Sequence, residues 1–531
     1  MMKFFNTAGP VNKDIHYKID PLTRWKLDEI LTLIKQQKYF LLHSPRQTGK
    51  TSCMLALQEH LNAANDYVAI YANFESGQAS RNDIAVGLNG ILFELISRSA
   101  RVLGQKLPFT AKSMLNDAGP TDALNAALQA LCAFSEKPVV LFIDEIDSLI
   151  GDTLISVLRQ LRAGYDSRPE HFPISIMLCG VRDIQDYRIH RADKEIITGG
   201  SAFNIKAESL TLGNFSQTET IKLLNEHTKE TGQQFAKGVA EYIHDQTGGQ
   251  PWLVNAVAYE VTFKMEENRD PKVVITEDKV REAINRVIVS KATHIDQLAH
   301  KLSEPRVHRV ILPIILGESI EANEDDLSYC VDLGLIKNSD VGYIISNPIY
   351  REVIPRELST VRQAAFKTHF SPQWIREDNS LDTDKLFELF TDFWRENSEI
   401  WGTKIAGYEE AAPHLVFQAF LQRVANGAGY VRREYALGRK RTDLYLEWHG
   451  GDKVAPKKQR VIIELKIMRK KDKLETLKQT AIAQTAEYSK RCNGTENHIL
   501  IFDRDETTDW HEKVFKETVQ HDGMTFKIWG V

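Results

Sequence analysis

Ser44-Pro45-Arg46-Gln47-Thr48-Gly49-Lys50-Thr51 constrains the fold of this chain more than any other stretch. It follows a short apolar run, YFLLH at 39–43, and precedes TSCMLALQEHL, which reads as a helix. The pattern is G-x-x-x-x-G-K-[ST] with serine in the first place. Such a loop wraps backbone N–H groups around phosphates at a helix N-terminus. Gly49 permits close backbone approach, Lys50 is placed for the β- and γ-phosphates, and the Thr51 hydroxyl suits Mg2+. Ser44, Arg46, Gln47 and Thr48 complete the expected nucleotide-binding set. A serine can stand for the first glycine if its backbone angles are ordinary.

The second half of a nucleotide site lies about 95 residues downstream, in VVLFIDEID at 139–147. A buried strand ends there in two acids. Asp144 is expected to hold Mg2+ through water, and Glu145 to orient or deprotonate the attacking water. Arg182 follows the apolar run PISIMLCG. It either senses the γ-phosphate or merely solvates a loop. The runs at 39–43, 67–72, 138–143 and 173–180 alternate with helical stretches at 51–64, 82–103, 121–135 and 152–163. Alternation of this kind implies a parallel sheet with crossover helices, and strands apolar throughout imply a sheet covered on both faces.

Beyond residue 215 the pattern turns helical. Ser216-Gln217-Thr218-Glu219 is a capping box opening a helix, and further helices are expected at 235–246, 251–265 and 276–299. Thr247-Gly248-Gly249-Gln250-Pro251 reads as a helix stop followed by a helix start. Residues 304–358 read as helix, short hairpin, helix, which suits a winged helix. SPRQTGKT, LFIDEID, GVRDIQDYR and TGGQPWLVN, in this order, resemble the AAA-like and STAND-type ATPases over roughly residues 15–358. The resemblance implies a P-loop sheet with a helical lid and a winged helix. It also implies that Pro251 sits near the nucleotide base and that the protein switches between ADP and ATP states.

A different constellation closes the chain. Asp443, in TDLYLEW, precedes by 21 residues the Glu464 of RVIIELKIM, with Lys466 two places on. Side chains alternate between faces in a strand, so Glu464 and Lys466 share a face. If the two strands pair, Asp443 meets them there. Two carboxylates suit a hard Mg2+, and a neighbouring lysine can orient water or stabilise a charged phosphorane. Gln484 and Tyr488 sit four apart on the next helix, Glu434 is on the preceding strand, and Glu409 or Glu410 could add a metal ligand. The spacing and the flanking helix–strand–strand–strand–helix order resemble the PD-(D/E)XK nuclease superfamily, in its RecB-like, ATPase-linked branch. The resemblance puts Asp443, Glu464, Lys466 and Gln484 on metal and active-site positions. Residues 431–480 hold 15 Lys+Arg against 7 Asp+Glu in a chain whose net charge is −5, which favours a polyanionic partner.

The expected architecture is therefore α/β: an ATPase core at 1–215, a helical lid at 216–303, a winged helix at 304–360, a helical connecting arm at 361–405 and a nuclease domain at 406–531. Composition agrees, with 42 % hydrophobic and 26 % charged residues, which excludes a mostly disordered chain. Five scattered cysteines with no C-x-x-C pair argue against a disulfide scaffold and a cysteine zinc site. No apolar run is long enough for a bilayer, and the amino-terminal stretch lacks a secretory pattern, so a cytoplasmic protein without a membrane partner is expected. The expected function is ATP binding and hydrolysis coupled to Mg2+-dependent cleavage of nucleic acid, DNA first, with ATP and Mg2+ as cofactors. Homo-oligomers and a partner protein in antiphage or anti-plasmid defence follow by analogy. The competing reading is a nucleotide-dependent DNA-binding or signalling switch whose nuclease-like domain serves as a platform.

Overall fold

The structure, a computed structural model, describes residues 3–531 apart from 183–187, 191–195, 199–203, 290–300, 317–319, 321, 340–341, 352, 355–373, 403–412, 415, 418–419, 422–428, 434–443, 452–455, 471, 504 and 506. Two compact units emerge, Met1–Ser290 with Asn323–Lys337, and Lys291–Ala322 with Asn338–Val531.

The first unit is built on a five-stranded, wholly parallel sheet. Its strands are β1 (Tyr39–His43), β2 (Val68–Asn73), β3 (Val139–Asp144), β4 (Ser175–Gly180) and, past a short β5–β6 pair (Arg188–His190, Ile196–Thr198), β7 (Lys206–Thr211). The order is β2-β3-β4-β1-β7, as expected for a P-loop nucleoside triphosphatase sheet. Both faces are covered, which is why β3 and β4 read as unbroken apolar runs. On one face Phe40, Leu42, Phe142 and Met177 pack on α1 (Leu27–Lys35) and α2 (Lys50–Ala64). On the other, Leu41, Ile70, Leu141 and Leu178 pack on α3 (Ile84–Leu103), α5 (Ala123–Phe134) and α6 (Gly151–Ala163), with the short α4 (Ala111–Ala118) beside them. β7 was not expected from the sequence. KAESLT is polar because it lies at the sheet edge, so no apolar run marks it.

Four helices follow near the positions expected, α7 (Gln217–Thr231), α8 (Val239–Thr247), α9 (Pro251–Tyr259) and α10 (Glu277–Val289), and residues 290–299 of the last expected helix lie outside the described residues. The Ser216 hydroxyl accepts from Glu219 N while Glu219 accepts from Ser216 N, the reciprocal bonding of a capping box. Next come α11 (Pro305–Leu316), α12 (Glu324–Asp332) and the short strands β8 (Ile336–Ser339) and β9 (Gly342–Ile345). The helix and hairpin of the expected helix–hairpin–helix are present, residues 352 and 355–358 of its closing stretch lie outside the described residues, and the unit boundary falls within β8.

The second unit centres on a mixed six-stranded sheet of order β10-β11-β12-β13-β15-β14. β10 (Gly429–Arg433), β11 (Leu444–Gly451) and β12 (Pro456–Met468) form an antiparallel meander. α14 (Leu474–Cys492) then crosses to β13 (Glu496–Asp503), parallel to β12. The strands β14 (Lys516–His521) and β15 (Met524–Gly530) complete the sheet. One face carries Leu446, Trp448, Ile463, Leu465 and Phe502, covered by α13 (Thr383–Gly402) and by Val416, Phe417, Phe420 and Leu421. The aromatic stretch LFELFTDFW, read in sequence as part of a connecting arm, thus supplies core. Leu386, Phe387, Phe390 and Trp394 recur at helical spacing and are all buried. The opposite face carries Ile499, Ile501 and Ile528 under α14.

Candidate functional site

The phosphate loop takes its shape from two left-handed residues, Gln47 (φ 59°) and Gly49 (φ 98°). Gly49 caps α2, and Lys50 is its first residue. A Cβ on Gly49 would come to 3.0 Å from the Arg24 guanidinium. Ser44 is absent from the positive-φ positions, so its side chain is tolerated. Its hydroxyl donates to Leu212 O at 2.5 Å, tying the loop to the end of β7. Thr48 Oγ1 donates to Pro45 O at 2.9 Å, and Lys50 Nζ to the carbonyls of Ser44 (2.8 Å) and Pro45 (3.0 Å). These bonds hold the lysine, 8 % exposed, inside the loop where a phosphate would lie. Arg46 is exposed at the rim.

β3 delivers Asp144 opposite this lysine end. Thr51 Oγ1 donates to Asp144 Oδ2 at 2.7 Å, Tyr71 OH donates to the same oxygen at 2.9 Å, and Glu145 N donates to Oδ1 at 3.0 Å. Burial, followed by Asp144, pushes the Tyr71 phenol well above its ordinary value, so it remains a donor. Glu145 is held in the left-handed region at φ 56°, a strained conformation of the sort that collects at functional sites. Burial, then Asp147 and Asp144, raises its carboxyl against the pull of Lys50 and Arg46. The hydroxyl and carboxylate of Thr51 and Asp144 are hard oxygen donors and fit Mg2+.

Arg182 is buried at 8 % exposure, with no loop-solvating role. Its Nε lies 3.5 Å from Asp332 Oδ2, its Nη2 lies 3.6 Å from Asp325 Oδ1, and its guanidinium stands over the Tyr329 ring at 4.9 Å. His43, at the end of β1, is 3.9 Å from the other Asp332 oxygen. The turn after α12 also reaches the phosphate loop, since a Cβ on Gly334 would meet Pro45 at 3.0 Å. From the lid, Gln250 Nε2 approaches Gln47 O at 3.5 Å while its Oε1 caps α9 at Leu253 N. Pro251 is the first residue of that helix and is buried.

Sequence reasoning missed Tyr71, Arg24, Asp325 and Asp332. Arg24 donates to Thr48 O and to Gly213 O and lies over Phe215, clamping the loop from the amino-terminal segment. None of these residues stands in a motif, and each meets the site through tertiary packing alone.

In the second unit the register pairs Leu444 with Ile463 and Tyr445 with Ile462. Tyr445, Glu447, Ile462, Glu464 and Lys466 therefore share the face beneath α14. Glu464 is 2 % exposed, and Lys466 Nζ lies 2.8 Å from its Oε1. Tyr488 packs on Tyr445 and Ile462. Gln484 Oε1 is buried with no hydrogen-bond partner among the described residues. Asp443, Glu409, Glu410 and Glu434 lie outside the described residues. Among the described residues no cluster of three His, Cys, Asp or Glu side chains could hold a metal, and no helix is long and apolar enough to cross a membrane.

Residues 34–187 match the AAA domain family. Among solved structures, a Walker-type ATPase of Pyrococcus abyssi is 15 % identical, the match covering 66 % of this chain and 99 % of that one, with a TM-score of 0.43. The Holliday junction branch migration motor RuvB of Thermotoga maritima is 13 % identical over 62 % of this chain and 95 % of its own, TM-score 0.32. Cdc6p from Pyrobaculum aerophilum is 15 % identical over 63 % and 93 %, TM-score 0.34. No curated protein matches the sequence. The family match, the parallel sheet and the phosphate loop together define a P-loop ATPase domain of the AAA type, which binds nucleotide with Mg2+.

Proposed function

We propose that the chain is an ATP-regulated nuclease, in which the AAA-type domain sets the activity of a Mg2+-dependent phosphodiesterase in the second unit. In the ATPase, Lys50 and the loop amides bind phosphate, Thr51 and Asp144 hold the metal, and Glu145 takes up a proton from the attacking water. Arg182 reads the γ-phosphate, and Pro251 borders the base. In the nuclease, Asp443 and Glu464 hold Mg2+, with Glu410 as a further carboxylate, Lys466 orients the attacking water and Gln484 fixes the substrate side. Mg2+ supplies charge stabilisation to the phosphate under attack. DNA is the proposed substrate, on the local positive charge of residues 431–480, and defence against phage or plasmid DNA is the proposed setting. Assembly into homo-oligomers and a partner protein of the same defence system belong to this reading.

The observation that carries the nuclease reading is the burial of Glu464 beside Lys466, beneath the helix bearing Gln484. A buried ion pair rarely improves stability over apolar residues of the same volume, because desolvation offsets the attraction. A purely structural hairpin has no use for one there, beneath a helix whose Gln484 Oε1 is buried with no hydrogen-bond partner among the described residues. The test is cleavage of supercoiled plasmid by the purified chain with Mg2+, beside EDTA and the variants Asp443→Ala and Lys466→Ala. Loss of cleavage in EDTA and in both variants supports the reading. Cleavage that survives Asp443→Ala, or none under any nucleotide while ATP still binds, favours a signalling switch with a binding platform.

A further inference from the structure

Asp144 Oδ2 carries two hydroxyl donors, and only one belongs to the phosphate loop. Thr51 is expected there from the loop pattern. Tyr71, at 2.9 Å, comes from β2, a strand with no nucleotide motif. Its place is fixed twice over. The register of β2 on β3 pairs Tyr71 with Phe142 and Asn73 with Asp144, so the phenol rises past one strand position to reach the carboxylate. The ring is 5 % exposed, in the core cluster that also holds its strand neighbour Phe142, and the Arg98 guanidinium stands 5.5 Å from its centroid. Arg98 is itself held by Glu94 at 2.7 Å.

We infer that Tyr71 is a positioning residue for the nucleotide-associated Mg2+, acting through Asp144. Two hydroxyls occupy the acceptor sites of Oδ2, and the Glu145 N–H takes one on Oδ1. This fixes the rotation of the carboxylate and leaves the outward side of Oδ1 for the metal's water shell. With Tyr71 removed, Oδ2 loses one of its two hydroxyl donors, and the carboxylate is left with the Thr51 hydroxyl, which would itself turn to a bound metal, and the buried Cys179 thiol beside it. The inference rests on the nucleotide site described above, and a wild-type protein that fails to bind ATP both in EDTA and in Mg2+ would show that site, not Tyr71, to be misread.

The experiment is titration of a fluorescent ATP analogue into the full chain, in EDTA and across a MgCl2 series, for wild type and Tyr71→Phe, which deletes only the hydroxyl. Partners that orient metal ligands typically contribute about 10–100-fold to metal affinity. Half-saturating Mg2+ should therefore rise about tenfold, while affinity in EDTA stays at the wild-type value. Mn2+ in place of Mg2+ should give an altered electron paramagnetic resonance line shape in the variant. Arg98→Ala, which loosens the ring but keeps the hydroxyl, should shift half-saturating Mg2+ in the same direction by less than Tyr71→Phe does. Unchanged Mg2+ dependence in both variants overturns the inference, as does an equal loss of affinity with and without metal, the sign of a merely structural tyrosine.

Discussion

Replacing Asp332 by Asn should tighten ATP binding and leave ADP binding alone. Arg182 is held by Asp332 at 3.5 Å and by Asp325 at 3.6 Å, with Arg182 and Asp332 largely withdrawn from water and Asp325 partly exposed. At an effective dielectric of about 20, unit charges at that separation attract by about 5 kcal/mol before desolvation. The net effect of Asp332→Asn is smaller, because Asp325 remains and the amide oxygen still accepts. A charge-assisted hydrogen bond is worth about 1.5–3 kcal/mol, and its neutral replacement about 1, so the difference is about 1–2 kcal/mol. If the γ-phosphate must draw Arg182 away from these carboxylates, that difference passes into ATP affinity as a gain of about tenfold. ADP lacks the γ-phosphate and should bind as before. Parallel titrations of fluorescent ATP and ADP analogues into wild type, Asp332→Asn, Arg182→Ala and the double variant measure this. In the Arg182→Ala background Asp332→Asn should have no effect, since the coupling runs through the arginine. Equal shifts for both nucleotides, or tighter ATP binding by the double variant than by Arg182→Ala, would refute the reasoning.

Glu145→Gln should keep ATP affinity within about twofold and cut hydrolysis by about 10²–10⁴-fold, the usual share of a general base, as read by phosphate release. Gly249→Ala should destabilise the first unit by more than the roughly 1–2 kcal/mol of a left-handed alanine, because φ is +67° and the new Cβ would come to 2.0 Å from Phe215 O; thermal denaturation checks this. The second unit should lose stability in acid. Burial alone would raise the Glu496 carboxyl, but the pull of His498 and hydrogen bonds from Thr383 and Gln459 outweigh it and hold it at about 2. A folded pKa below the unfolded value gives stability that is complete above about pH 4.5 and lost as pH falls towards 2, on the order of 3 kcal/mol. Burial lowers His498 as well, so its protonation adds acid lability that sets in below pH 6.5; Lys527 and Asp384 are the other charges near it. Denaturant titrations of Glu496→Gln should show a flatter dependence between pH 5 and 3 than wild type.

What the sequence disclosed divides by range. The phosphate loop, the acidic end of β3 and the Ser216 capping box are local patterns, in which a few consecutive residues determine both backbone and chemistry. They appear in the structure at the expected positions. β7 escaped notice because an edge strand needs no apolar run, and β14 and β15 are likewise largely polar on their outer positions. The stripe Leu386, Phe387, Phe390 and Trp394 fell within the expected connecting arm, and only the sheet of the second unit shows why these residues are apolar. Tyr71, Arg24 and the Asp325–Asp332 pair reach the nucleotide site across 24 to 150 residues of chain, and no single-segment pattern encodes such meetings. The Glu464–Lys466 pair was legible as strand alternation, whereas its depth of burial came only with α14 laid across it.

The central claim is that nucleotide state governs phosphodiester cleavage by the same chain. Its most direct test is the rate of plasmid cleavage in Mg2+, measured without nucleotide, with ADP and with ATP, for wild type, Lys50→Ala and Asp443→Ala. The account predicts that ATP changes the wild-type rate, that Lys50→Ala cleaves at one rate whatever the nucleotide, and that Asp443→Ala does not cleave. Cleavage by wild type that is indifferent to nucleotide, or a response to ATP that persists in Lys50→Ala, would contradict it.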